Sequence, residues 1–222
     1  MSDILEQLMI CIERGKVNNA SPYPPDLKGQ DGADELTAKA LEQGISPKDV
    51  LQNSLIVGMS TIGQKFSEGK AFVPEMLMAA KAMKAAMAHI DPFFKSGKVK
   101  QKGTFIVGTI QGDLHDIGKN LVSMMVEGAG WKVIDLGVDV GFDKIEQALK
   151  DNPDSVIGLS ALLTTTMVNM RGVVEKVKNL NPKSVVMVGG APLTQDFCNE
   201  IGADFYSADP QGAIKFLDKI AS

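Results

Sequence analysis

The stretch Gly112-Asp113-Leu114-His115-Asp116-Ile117-Gly118-Lys119-Asn120 decides the reading of this chain. It holds one of only two histidines in 222 residues, set between carboxylates and followed by a glycine. Residues 104–110 before it form a short apolar run that reads as a buried strand, and residues 121–126 after it read as a helix. An imidazole on such a turn lies outside the carboxyl end of a strand, where open α/β sheets bind ligands. Asp113, two residues earlier, can accept the other ring N–H, the arrangement expected of a metal-bound histidine. The pattern points to a cofactor ligand. Its alternative is a polar loop histidine with no role.

Working outward, the periodicity downstream alternates. Strands are predicted at 104–109, 132–136, 155–160, 184–188 and 204–206, with helices near 117–128, 142–150, 166–180, 195–201 and 211–220. Five strands alternating with five helices imply an α/β domain whose mostly parallel sheet is covered on both faces. Upstream, residues 1 to about 95 read as helices. Asp3 is a cap for a helix over 3–12, and a second helix covers 33–43 and stops at Gly44. Ser46-Pro47-Lys48-Asp49 has cap, first-turn proline and acidic residue in the expected order. A long helix opens at Pro74-Glu75 with the stripe Leu77, Ala80, Met83, Met87 and Ile90. It should close at Asp91-Pro92, since a residue before proline avoids the α region. His89, in its last turn, receives no function. The Pro-rich stretch 18–32 reads as a flexible excursion or an insertion. The lysine-rich segment 97–103 is the expected linker, dividing a helical cap at 1–96 from a second domain at 97–222.

Composition excludes several classes. A net charge of −4 without a dense Lys/Arg tract argues against a nucleic-acid binder. No apolar run approaches the ~20 residues of a membrane span. The N-terminus lacks a signal-peptide pattern, so a cytoplasmic protein is expected. Cys11 and Cys198 show no C-x-x-C spacing, which argues against a disulfide or zinc framework. With only His89 and His115 as imidazoles, a bare non-haem metal site is the least expected reading.

The segment around His115 resembles the Asp-x-His-x-x-Gly motif of cobalamin-binding domains in methionine synthase, corrinoid methyl carriers and some mutases. That family continues with Ser-x-Leu and Gly-Gly at fixed distances. Here 41 residues (119–159) separate Gly118 from Ser160-Ala161-Leu162, and 26 (163–188) separate Leu162 from Gly189-Gly190. Both gaps match. Upstream, Phe66-Ser67-Glu68-Gly69-Lys70-Ala71-Phe72-Val73-Pro74 is similar to the helical cap of the methyl-carrying branch. The resemblance covers the chain from about Ser46 onward and implies a flavodoxin-like Rossmann variant beneath a helical-bundle cap.

It also implies roles for particular residues. His115 is the lower ligand of cobalt, replacing the cofactor's own benzimidazole, whose tail enters a slot in the sheet edge. Gly118, Gly189 and Gly190 keep that slot open, although each alone could be an ordinary turn or packing glycine. Ser160 and Thr164 bond the tail and Leu162 packs against it. Asp116 and Ile117 belong to the same cofactor contact, and Tyr206 and Ala208 lie on a loop that closes over the tail. Asp113 tunes the imidazole, since proton uptake by the His–Asp pair favours ligand release. In methionine synthase a serine six residues after that of Ser-x-Leu completes this relay. Here Thr166 stands at that position, keeping the hydroxyl, with a helix N-cap as its other reading. Phe66 and Val73 would cover the upper corrin face and exclude water, unless they are simply bundle core.

The function implied is that of a corrinoid methyl carrier in anaerobic one-carbon metabolism, binding cobalamin as methylcobalamin or a related corrinoid. Its implied partners are a substrate-specific methyltransferase and an acceptor methyltransferase using a folate or thiol coenzyme, with a reductive-activation protein as an optional third. The donors of the family are methanol, methylamines, betaines and aryl methyl ethers. A substrate barrel needs ~250 residues, so the chain reads as a carrier subunit rather than a complete enzyme. Two readings compete. One is the cobalamin-binding subunit of a radical mutase, whose relatives lack this cap. The other is a cobalamin-based sensor, which would carry a DNA-binding or output domain.

Overall fold

The computed structural model describes residues 3–95 and 101–221. The chain divides into two compact units, Met1–Gln101 with Gly128–Gly130, and Lys102–Glu127 with Trp131–Ser222. The expected boundary between residues 96 and 97 lies outside the described residues, as does most of the expected linker.

In the first unit, apolar spacing builds helices that each bury one face. Helix α1 (Asp3–Arg14) buries Leu5, Leu8, Cys11 and Ile12, and α2 (Ala33–Glu42) buries Ala33, Leu36, Thr37 and Ala40. Asp3 lies in the first turn of α1 and accepts a bond from the Gln7 amide at 2.9 Å. Helix α3 (Pro47–Val50) is capped by Ser46, whose hydroxyl accepts from the Asp49 N–H at 3.1 Å. It widens into a π turn at Leu51–Leu55 and continues as α4 (Ile56–Ser67). Helix α5 (Val73–Lys95) buries Met76, Ala79, Ala80, Met83, Ala86 and Ile90. The expected stripe is therefore wrong at two positions: Leu77 is exposed and Met87 half-buried.

Two further expectations fail here, each for a physical reason. Helix α5 does not close at Asp91-Pro92 but runs through Pro92. The N–H that proline lacks would have gone to the Ala88 carbonyl, and Ala88 is exposed, so water can replace the bond. The stretch 18–32 is no free excursion. Fully buried Lys16 donates to the Ser21 carbonyl at 2.9 Å, Arg14 pairs twice with Asp26, and Glu35 accepts from the Asn19 and Gly32 amides. Side chains of α1 and α2 thus satisfy the loop. His89 is also not idle, since its Nε2 lies 2.6 Å from Asp34 Oδ1 and ties α5 to α2.

The second unit is an all-parallel five-stranded sheet. Its strands are β1 (Thr104–Thr109), β2 (Lys132–Asp135), β3 (Val156–Ser160), β4 (Val186–Gly189) and β5 (Phe205–Ser207), in the order β2-β1-β3-β4-β5. Between them run α6 (Ile117–Gly128), α7 (Phe142–Asp151), α8 (Thr164–Met167), α9 (Asn169–Leu180), α10 (Gln195–Glu200) and α11 (Pro210–Ile220). Strand β1 is buried on both faces, as a central parallel strand must be. Ile106 and Ile110 join a core with Ile157, Leu159, Val173, Val177, Val186 and Val188. Phe105 and Val107 alternate to the opposite face, where the Phe105 ring lies so close over Gly158 that a Cβ there would come within 2.4 Å of it. Strand ends differ from expectation by one or two residues. The helix expected over 166–180 is instead two, broken at Val168, because residues 162–166 bend around a buried carboxylate described below. Among the described residues no helix is long and apolar enough to cross a membrane.

Two glycines at this end of the sheet differ sharply. Gly190 has φ +132, and a Cβ on it would sit 1.8 Å from the Ala161 carbonyl oxygen, whereas one on Gly118 would meet nothing within 4 Å. In urea titrations of the apoprotein, Gly190→Ala is expected to cost about 3 kcal/mol or more, through strain and a forced backbone shift. Gly118→Ala should be neutral or stabilising by up to about 1 kcal/mol, since alanine favours the helix.

Candidate functional site

The strand order reverses direction at β1 and β3, so the loops leaving their carboxyl ends diverge and open a crevice. Asp113 sits there on the loop after β1. That loop turns back through the Asp113 N–H to Ile110 carbonyl bond at 3.0 Å, with Gly112 at φ +85. The Asp113 side chain is fully buried. Its Oδ1 accepts from the His115 N–H (3.0 Å) and from His115 Nδ1 (2.8 Å). Its Oδ2 accepts from the Leu162 N–H (2.8 Å), the Leu163 N–H (3.3 Å) and the Thr166 hydroxyl (2.7 Å). Burial opposes its charge, but the bonds from Thr166, from the His115 and Leu162 amides and from the His115 ring outweigh it. They hold the carboxyl well below the usual carboxylate range.

An ionised Asp113 fixes the proton of His115 on Nδ1 and leaves the Nε2 lone pair available. The His115 side chain is 50% exposed, and among the described residues no hydrogen bond to Nε2 is present. Around it the two loops hold out large apolar side chains: Leu114 (71% exposed), Ile117 (69%), Leu162 (44%) and Leu163 (42%), with Val168 (56%) just beyond. Exposing several such groups together is unfavourable unless something covers them. No cluster of three or more His, Cys, Asp or Glu that could cage a metal exists among the described residues. A metal bound here would need to bring its other ligands with it.

The residues read from the sequence separate into groups. Asp113, His115, Leu162 and Thr166 meet at one point. Thr166 is third in α8, bonded to Asp113 and 3.0 Å from the Leu163 carbonyl, so it is not the helix N-cap. The carboxylate is the stronger acceptor of its single proton. Asp116 and Ile117 stand at the exposed start of α6, with Asp116 accepting from Asn120 at 3.0 Å. Ser160, half-buried, ends β3, and Thr164 is exposed at the start of α8. Gly189 ends β4 opposite Ser207 in the β5 register, with Tyr206 half-buried on β5 and Ala208 exposed after it. Gly190 is required by backbone packing, whatever else it does. Phe66 and Val73 are half-buried in the first unit, and Phe72, before Val73, is 65% exposed.

Sequence reasoning missed several contributors. Thr109, fully buried, donates from its hydroxyl to the His115 carbonyl at 2.9 Å. Asn169 donates to the Gln111 carbonyl at 3.0 Å and so ties α9 to the β1 loop. Asp139, at φ +52, accepts from the Gly112 N–H at 2.8 Å and donates its own N–H to the Asp113 carbonyl at 3.0 Å. Only the polar ending of a β-branched strand at Thr109 carried any hint in the sequence.

Comparison with known proteins matches this arrangement. A B12 binding domain family matches residues 103–214, and a second B12 binding domain family matches residues 30–91. The chain is 41% identical to "Trimethylamine corrinoid protein 2" of Methanosarcina mazei, over 82% of this chain and 85% of that protein. It is 38% identical to a corrinoid protein of Desulfitobacterium hafniense, over 84% of this chain and 88% of that one. Among solved structures, the methanol:cobalamin methyltransferase complex MtaBC from Methanosarcina barkeri superposes with a TM-score of 0.81 at 28% identity, covering 99% of this chain and 80% of that chain. A cobalamin-binding protein from Desulfitobacterium hafniense superposes with a TM-score of 0.75 at 25% identity, covering 99% and 98%.

The Asp113 cluster generates a pH-dependent expectation. Its folded carboxyl titrates below the unfolded value of about 4, so its stabilisation is complete above that pH and is lost as pH falls below it. Asp113→Asn, which turns an amide toward donors, is expected to cost about 3 kcal/mol at pH 7. In urea titrations across pH 3 to 7, the gap between wild type and variant should narrow below about pH 4.

Proposed function

This chain belongs to the B12-binding corrinoid proteins, and on that premise we propose that it is a methyl carrier whose His115 is the protein ligand to the cobalt of cobalamin. The observation that carries the reading is the Asp113–His115 pair, with Nδ1 tied to a buried carboxylate, Nε2 free among the described residues and an exposed apolar rim around it. The residues present fit the cofactor. A corrin brings its own nitrogens to cobalt, so His115 would be the one protein ligand, and Leu114, Ile117, Leu162 and Leu163 would offer an apolar surface to the ring. The open space at Gly118 agrees with room for the displaced tail. When bound, cobalamin supplies a cobalt centre that accepts and gives up a methyl group.

The chain's own residues orient and tune that centre. Asp113 holds the imidazole tautomer and ring plane, while Thr166 and the Leu162 amide hold Asp113. A proton gained by the His115–Asp113–Thr166 group weakens the ring as a ligand, and its loss restores it. Ser160, Thr164, Leu162, Gly189, Gly190, Tyr206 and Ala208 are assigned to the tail, and Phe66 and Val73 to shielding the cofactor from water. The methyl donor is a small methylated amine, a reading supported by relatives named for trimethylamine and dimethylamine. A substrate-specific methyltransferase loads the carrier and an acceptor methyltransferase, using a thiol or folate, unloads it. A reductive-activation protein would return an oxidised cofactor to service.

Two measurements test this reading. The electron-spin resonance spectrum of the Co(II) form should show nitrogen coupling that His115→Ala removes while cobalamin stays bound. Persistence of that coupling in the variant would overturn the ligand assignment. Loaded with methylcobalamin, the isolated chain should keep its methyl group in the presence of an amine donor and a thiol or folate, and discharge it when the acceptor methyltransferase is added. Multiple turnovers by the chain alone would sink the carrier reading.

A further inference from the structure

Lys119 is electrostatically out of place. It is the third residue of α6, where the helix dipole disfavours a cation, and its side chain is 2% exposed. Lysine is rarely buried this deeply unless it is paired. Its ammonium meets Asp135 Oδ2 at 2.5 Å and Asn120 Oδ1 at 2.7 Å. Two arms of hydrogen bonds leave this pair, and both end on the His115 segment. On one arm, the Asn120 amide donates to Asp116 Oδ2 at 3.0 Å, and Asp116 follows His115 directly. On the other, Asp135 Oδ1 accepts from the Gly137 N–H at 2.8 Å, and the Gly137 carbonyl accepts from the Thr109 N–H at 3.0 Å. The Thr109 hydroxyl then donates to the His115 carbonyl at 2.9 Å. The loop after β2 also carries Asp139, which holds Gly112 and Asp113 by two further bonds.

We propose that the Lys119–Asp135 ion pair is a positioning device for His115, fixing the backbone from which the imidazole reaches toward cobalt. This rests on the reading of His115 as the cobalt ligand. The division of labour follows from what each group touches. Asp113 grips the ring and sets its rotation and tautomer, whereas Lys119 joins the start of α6 to the β2 loop and sets the height of the His115 main chain above the sheet. Without the ammonium, Asp135 turns to solvent and the β2 loop loses its anchor to α6, which loosens the hold of Gly137, Thr109 and Asp139 on the segment 110–117. The Lys119 ammonium is buried against Asp135 and Asn120, so it acts through His115.

The test uses the full chain as wild type, Lys119→Met, Asp135→Asn and the double variant. In the apoprotein, hydrogen exchange of amides in 110–117 should speed up by ~10-fold in each variant, while the sheet amides of β3 and β4 stay protected. With cobalamin in the Co(II) state, the nitrogen coupling should become a mixture of coupled and uncoupled signals, and cobalamin affinity should fall by ~10-fold. The double variant should be no worse than Lys119→Met, because both changes break one interaction. Lys119→Arg should restore much of the coupling. If Lys119→Met does not fold, Asp135→Asn carries the test, since Asp135 is partly exposed and the variant keeps an oxygen for Gly137. Unchanged exchange, coupling and affinity in a variant that is merely less stable would overturn the proposal. Absence of coupling in the wild type would overturn the His115 reading and this one with it, whereas coupling that is present but insensitive to Lys119 overturns this one alone.

Discussion

A carboxylate removed from water must have its acceptor sites filled, and Asp113 fills them with donors from two separate strand loops. That constraint shapes the carboxyl end of the sheet. It fixes the crevice between β1 and β3 and draws residues 162–166 into a turn, breaking the following helix at Val168. It also turns the His115 ring so that only one nitrogen is left to act. The same five bonds that stabilise the charge set the tautomer and orientation of the His115 ring.

The surroundings of that charge are asymmetric in a way that suits a large cofactor. Beneath His115 everything is tied down: Thr109 is buried, and the loop after β2 reaches across with Asp139 in a left-handed conformation. Beside it the apolar side chains Leu114, Ile117, Leu162 and Leu163 are left facing solvent. A soluble sheet end normally carries polar residues at such positions, and its apolar character makes sense when a flat apolar ligand covers it. The membership of the chain in the B12-binding family agrees with such a ligand.

Much of this was legible in the sequence because the governing signals are local. The alternation of strands and helices located the parallel sheet, and the helix over 117–128 was placed at its observed ends. Ser46-Pro47-Lys48-Asp49 specified its own cap. Asp113, two residues before His115, was within reach of the ring by spacing alone, and the relay position at Thr166 was found by its distance from Ser160. Where expectation failed, the surroundings of the residue had decided. Pro92 stays inside α5 because the carbonyl it deprives is exposed, Leu77 and Met87 yielded to Met76 and Ala86 in the buried stripe, and the Pro-rich loop is held by Lys16, Arg14 and Glu35.

The sequence by itself determined the class of the fold, the pairing of Asp113 with His115 and the residue types around them, since periodicity, turn chemistry and motif spacing are written along the chain. Tertiary structure alone decided how that pair is held. Thr109, Asn169, Asp139 and the Lys119–Asp135 pair act on His115 or Asp113 from other strands and helices, at sequence separations that no local pattern encodes. It also decided that Gly190 is a packing necessity while Gly118 faces open space, because the difference lies in how closely the ends of β3 and β4 approach. Local chemistry singles out His115, but only the packing of remote segments gives it a fixed position, since a hydrogen bond depends on where its partner's backbone has been placed.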